Sequence, residues 1–204
     1  MEEKKDDGVI KFNINWIKEK AFPKEKIEEL NYWRKKMFDL GLIGAYENGI
    51  GFGNISERTK GNKFIVSGSA TGNIEKLTEE HYSEVTEYYL NTNSLSCVGP
   101  IKASSESLTH AAIYSNAKEV NAVIHVHNLK LWENLYDKAP GTREGIEYGT
   151  VEMAKEMKRL LGEKETKEKK IIVMKGHKEG IISFGKNLEE AGKIMLKYFN
   201  EVKQ

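Results

Sequence analysis

Cysteine and proline are scarce in this chain of 204 residues, with one and three copies. A lone Cys97 excludes an internal disulfide and a cysteine-based zinc cluster. It is expected to be a small buried apolar residue. No apolar run approaches the roughly 18 residues of a membrane-crossing helix, so no membrane role is expected. Charge of one sign is not in excess either. Lys and Arg number 32 against 31 Asp and Glu, for a net charge of +1. That balance excludes the basic footprint with which proteins hold nucleic acid. The opening MEEKKDDG lacks the apolar core of a signal peptide, which makes a cytoplasmic location the expectation. No internal repeat is present.

What is there is 39% apolar and 31% charged, and long enough to bury one sizeable core. The expected organisation is a disordered segment over 1–8 and a single domain over 9–204. Pro23 opens a helical pattern in which Ile27, Leu30, Trp33, Met37 and Phe38 recur at spacings of three and four, and Gly41 closes it. Residues 75–90, with Leu77, Val85 and Tyr88, predict a second helix, and His81 within it is a surface or packing residue. Thr150 caps a helix running to Leu161. The charge run GEKETKEKK at 162–170 reads as a solvated connection. Asn187 and Glu190 resemble a capping box ahead of a closing amphipathic helix.

The chemistry concentrates at 121–127, NAVIHVH. Ala122-Val123-Ile124 favours a strand, where successive side chains alternate faces, so His125 and His127 point the same way. Their ring nitrogens can then meet on one small cation, or the pair can simply lie on a strand's polar face. A catalytic zinc takes three protein ligands and leaves a position open. His177 is the candidate third ligand. It lies in the turn KGHKEG between apolar runs at 171–174 and 181–185, and loops held by a rigid scaffold often carry functional groups.

Two further stretches bear on a site. In IKASSESLTHAAIY, Ser104 or Ser105 is the expected N-cap of a helix and Glu106 falls in its first turn. Glu106 either complements the helix dipole or acts as an acid/base carboxylate near the metal, with the serines and helix N-terminus binding an anion. His110, one turn on, is structural. Residues 44–72 are glycine-rich, with strand-like pieces near 53–58 and 63–67 joined by a Gly61-Asn62 turn. Glycine and small hydroxyl residues let backbone N–H groups approach a phosphate, making Asn54, Ser56, Ser67, Ser69 and Thr71 candidates; ordinary turns share that composition. The whole predicts one α/β domain of three layers, a mostly antiparallel sheet covered by helices.

With these residues in place, the chain resembles the class II aldolase/adducin head family, which includes fuculose phosphate aldolase. The resemblance spans about 25–200 and rests on motifs in the family's order: GNIS at 53–56, a Ser/Thr/Gly turn at 67–72, SSE at 104–106, HVH at 125–127 and GH at 176–177. It implies one Zn²⁺ or another divalent metal per subunit, held by His125, His127 and His177. Glu106 would be the catalytic residue and, without substrate, a fourth ligand. Substrate phosphate would be bound by Gly53, Asn54, Ser104 and Ser105, with either Ser67-Gly68 or Thr71-Gly72. The implied activity is aldol cleavage of a phosphorylated ketose by a homotetramer. Within the family the alternatives are a dehydratase or epimerase on a related sugar phosphate, or a non-catalytic adducin-like interaction module. Three departures stand out: Lys178-Glu179 are inserted before Gly180, the segment from His127 to Thr150 that would border the substrate pocket is short, and no tyrosine acid has motif support, Tyr136 and Tyr148 being the candidates.

Overall fold

Alternation along one strand sets out the architecture. In β8 (Ala122–His127) Val123 packs into one apolar cluster, while Ala122, Ile124 and Val126 pack into another on the opposite face. The computed structural model describes residues 8–202, so the expected disorder of 1–8 falls outside it except for Gly8. Ten strands are present among the described residues: β1 (Asn13–Lys18), β2 (Gly44–Ala45), β3 (Gly51–Phe52), β4 (Asn54–Arg58), β5 (Phe64–Ser67), β6 (Tyr82–Tyr89), β7 (Ser94–Gly99), β8, β9 (Ile171–Val173) and β10 (Gly180–Gly185). The main sheet has the order β1-β7-β6-β5-β4-β8-β10-β9, and β2 with β3 forms a separate ladder.

The helices are α1 (Glu28–Asp39), α2 (Ser107–Asn116), α3 (Leu129–Leu135), α4 (Val151–Gly162), α5 (Lys164–Lys169) and α6 (Leu188–Glu201). Leu108, Ala111 and Ala112 of α2 and Met153, Met157 and Leu160 of α4 pack with Val66, Val123 and Ile182 on one face. Leu30, Trp33 and Met37 of α1 and Leu188, Met195 and Phe199 of α6 pack with Ile55, Ile124 and Ile181 on the other. These are the three expected layers. The helix after Pro23 and the one capped by Thr150 form as predicted, α1 following a short 3-10 turn over Lys24–Lys26. Asn187 caps α6, accepting from the Glu190 N–H at 2.9 Å. Glu190, however, turns its carboxylate to the Lys186 N–H and the Lys170 ammonium.

The structure corrects four expectations. First, the sheet is mixed, because β1 pairs with β7 in parallel while the other neighbouring strands pair antiparallel. Parallel pairing needs a long crossover, and the chain between β1 and β7 supplies it. Second, 75–90 is not a helix. A 3-10 turn at Glu79–His81 leads into β6, which pairs with both β5 and β7. A register shift between Val85 and Glu87 breaks the period-2 pattern that would have marked a strand. Third, part of the 162–170 charge run is the helix α5, which buries Thr166 and sets Lys169 against Glu165 at 2.7 Å. Fourth, α2 starts later than expected, with Glu106 itself in the N-cap position. No described helix is long and apolar enough to cross a membrane.

Candidate metal centre and anion pocket

Cross-strand register assembles the centre. His125 pairs with Asn54 of β4 and with Ile182 of β10, and His127 pairs with Gly180. Directly paired residues project to the same face, here the one covered by α2. Gly180 therefore offers no side chain where the imidazoles gather. A Cβ there would come within 2.7 Å of the His177 ring and 3.3 Å of His125. The turn between β9 and β10 is closed by the His177 N–H donating to the Met174 carbonyl at 3.0 Å, which aims His177 back over β8.

Glu106 enters from the start of α2. Its Oε1 lies 2.9 Å from His125 Nε2 and 3.1 Å from His177 Nε2. The Nε2 atoms of His125 and His127 are 3.0 Å apart. All four residues are buried, and their ligand atoms lie within 4.8 Å of one another. The Ile181 carbonyl, 3.2 Å from His125 Nδ1, can only accept, so Nδ1 carries the proton and Nε2 turns its lone pair inward. Lone pairs and a carboxylate crowded this closely repel one another unless a cation or proton lies between them. Burial pushes the Glu106 carboxyl up, but positive charge and donated protons on the imidazoles of His125 and His177, a role a cation would also fill, outweigh it and hold the group well below the usual carboxylate range. Glu106 Oε2 and Asn54 Oδ1 are buried and lack a hydrogen-bond partner among the described residues. Orphaned buried acceptors of this kind call for a ligand, and a buried Glu/His/His/His group of these dimensions can hold a metal ion.

A pocket opens beside this cluster. Of the predicted phosphate contacts, Gly53, Asn54, Gly68, Ser69, Thr71, Gly72, Ser104 and Ser105 line it, together with Glu106, His127 and His177. The N-terminal end of α2 meets the pocket here, a favourable place for an anion. Gly53 adopts φ +76°, and a Cβ there would meet Ile43 at 2.7 Å; a Cβ on Gly72 would collide with the Gly44 carbonyl. Two sequence candidates fall elsewhere. Ser67 accepts from the Ile55 N–H and does not line the pocket, so the Thr71-Gly72 pair is the better placed of the two alternatives. Ser56 is buried against His110 Nδ1 at 2.7 Å and the Tyr114 hydroxyl at 2.8 Å. Burial pushes His110 down to about 3, with help from nearby His125 and against the pull of Glu106, so this structural histidine is neutral.

A model of the class II aldolase and adducin N-terminal domain matches residues 29–200. The chain belongs to this family. No curated protein matches it. Among solved structures it is similar to YgbL from Escherichia coli, whose reaction is assigned only as one among aldolase, epimerase and decarboxylase. There the TM-score is 0.67 at 17% identity, covering 88% of this chain and 87% of that one. It is also similar to the L-fuculose-1-phosphate aldolase of Thermus thermophilus, with a TM-score of 0.63 at 23% identity, covering 86% and 89%. Likenesses at these identities establish the family's fold for this chain.

Two contributors have no signal in the sequence. Tyr46 places its hydroxyl 2.7 Å from His127 Nδ1 and 3.1 Å from Glu179 Oε2. Buried Arg34 of α1 donates to the carbonyls of Thr71, Gly72 and Glu75 at 2.8–3.0 Å, clamping the turn that forms one pocket wall. Each of these contacts joins residues more than 35 positions apart, beyond the reach of local spacing. The tyrosines named from sequence are placed differently. Tyr148 packs its ring 4.7 Å from His177 but donates its hydroxyl to the Val9 carbonyl. Tyr136 donates to Glu144 at 2.6 Å.

Proposed function

We propose that this protein is a divalent-metal-dependent lyase, with Zn²⁺ as the metal, that cleaves a phosphorylated ketose in an aldol sense. The observation carrying this reading is the Glu106 carboxylate within 3.1 Å of two of three converging imidazoles, at the edge of a pocket walled by glycine and small hydroxyl residues. His125, His127 and His177 would hold the metal, and Glu106 would close its coordination until substrate arrives. The donor set of three nitrogens and one carboxylate suits zinc. When bound, the cation supplies Lewis acidity to a carbonyl and its neighbouring hydroxyl.

The chain's own groups do the rest. The α2 N-terminus, Ser104, Ser105, Asn54 and the backbone of Gly53, Gly68, Thr71 and Gly72 bind and orient the phosphate. Glu106, with Oε1 on two imidazole nitrogens and Oε2 without a partner, is placed to take a proton from the substrate and return it. Burial of the cluster excludes bulk water from the proton's path. The family's assembly and setting lead us to propose a homotetramer in the cytoplasm, with the domain extending over 9–204.

Elemental mass spectrometry of the purified chain tests the reading first. About one zinc or similar ion per chain, lost in His177→Ala, is the expected result. A parent that takes up no metal when zinc is supplied would overturn it in favour of an adducin-like interaction module. A panel of phosphorylated ketoses then separates aldehyde release from water loss or epimer formation, the outcomes of a dehydratase or epimerase built on the same site.

A further inference from the structure

The turn after His177 carries Lys178 and Glu179 ahead of Gly180, which begins β10. We propose that Glu179 and Tyr46 are positioning residues for His127, forming a carboxylate–tyrosine relay that keeps its Nδ1 protonated and turns its Nε2 lone pair toward the metal. The inference rests on the metal reading of the cluster.

A tyrosine hydroxyl has one proton to give. Tyr46 lies 2.7 Å from His127 Nδ1 and 3.1 Å from Glu179 Oε2. The hydroxyl donates to Glu179 Oε2, so it accepts from the Nδ1–H of His127. A neutral imidazole protonated at Nδ1 has its lone pair on Nε2, the atom 3.0 Å from His125 Nε2 and within the ligand cluster. The relay thus does for His127 what the Ile181 carbonyl does for His125.

Two further features support the assignment. Glu179 adopts φ +71°, a left-handed conformation that a Cβ disfavours and glycine takes freely. The Asn128 N–H donates to the Glu179 carbonyl at 3.0 Å, so the conformation is fixed by the fold. A strained glutamate whose carboxylate meets the Tyr46 hydroxyl fits a positioning task. The tyrosine is fixed as well. Its ring packs 4.7 Å from Phe52, which stacks on His127 at 5.5 Å with 21° between planes.

Chelator competition on the full chain measures the zinc dissociation constants of the parent, Tyr46→Phe, Glu179→Gly and the double variant. Each single variant is expected to bind zinc about 10-fold or more weakly. The double variant should lose little more than the worse single, because the two groups act in series. The metal-free melting temperature should hold in Tyr46→Phe and rise in Glu179→Gly, which separates lost positioning from lost folding. In the zinc-loaded parent, nitrogen-15 spectra should show a His127 Nδ1–H protected from solvent exchange, and Tyr46→Phe should expose it. Zinc affinities within twofold of the parent in both singles, or a His127 proton on Nε2, would overturn the relay while leaving the metal reading intact. A parent that binds no zinc would overturn both.

Discussion

The two faces of the central sheet are built from the same strands but do different work. Under α1 and α6, β8 contributes Ala122, Ile124 and Val126, and the layer is an aliphatic and aromatic core. Under α2, the same strand contributes Val123 and then His125 and His127, and the packing gives way to Glu106, His177, Asn54 and the pocket. The same face also buries the hydrogen-bonded set Ser56, His110 and Tyr114. The lesson is one of division of labour. A face closed by apolar contact supplies the rigidity with which the other holds imidazoles and a carboxylate at distances near 3 Å, where lone pairs would otherwise force them apart.

Changes confined to one face should therefore register in different measurements. The largest effect is expected for Glu106→Gln on the polar face. Turnover of a cleaved ketose phosphate should fall about 10²–10⁴-fold, equivalent to about 3–5 kcal/mol of barrier, with metal content retained. Steady-state kinetics beside elemental analysis checks this, and full turnover in the variant would remove Glu106 from the reaction. On the opposite face, Met195 is fully buried. Met195→Ala should cost about 2–5 kcal/mol in denaturant unfolding while zinc per folded chain stays at the parental level. A loss of zinc affinity in the folded variant would show that the faces are not separable in this way.

The smallest effect sharpens the comparison through pH. His110 is held at about 3 in the folded chain, below its ordinary value of 6.5. Between those limits the unfolded chain binds a proton that the native chain refuses, so acid lowers stability and the effect vanishes above pH 6.5. The contribution is at most about 1.4 kcal/mol per pH unit. Unfolding of the chelator-treated protein at about pH 7 and about pH 5 should show His110→Gln losing less stability on acidification than the parent. Equal losses would mean that His110 takes up its proton without unfolding.

Local periodicity and end signals make much of the frame legible. The apolar spacing after Pro23, the Thr150 and Asn187 caps and the alternation of 121–127 all correspond to elements that form. They are legible because each is governed by neighbours within a turn of helix or two residues of strand. β6 escapes such a reading because its bulge erases the alternation and its two flanking strands, not its own propensity, make it extended. β1 leaves no signal because an edge strand with the half-exposed sequence NINWIK carries no apolar run.

The same limit separates what is knowable about the site. The His-x-His spacing by itself determined that two imidazoles share a face, since a strand's period of two admits no other outcome. Motif order added His177 and Glu106 as companions. Only the tertiary structure decided that Ser56 and Ser67 turn into the fold, that Arg34 clamps the pocket wall and that Tyr46 joins Glu179 to His127. Those outcomes depend on which strands become neighbours and in what register, and contacts between residues tens of positions apart leave no trace in the spacing of either partner.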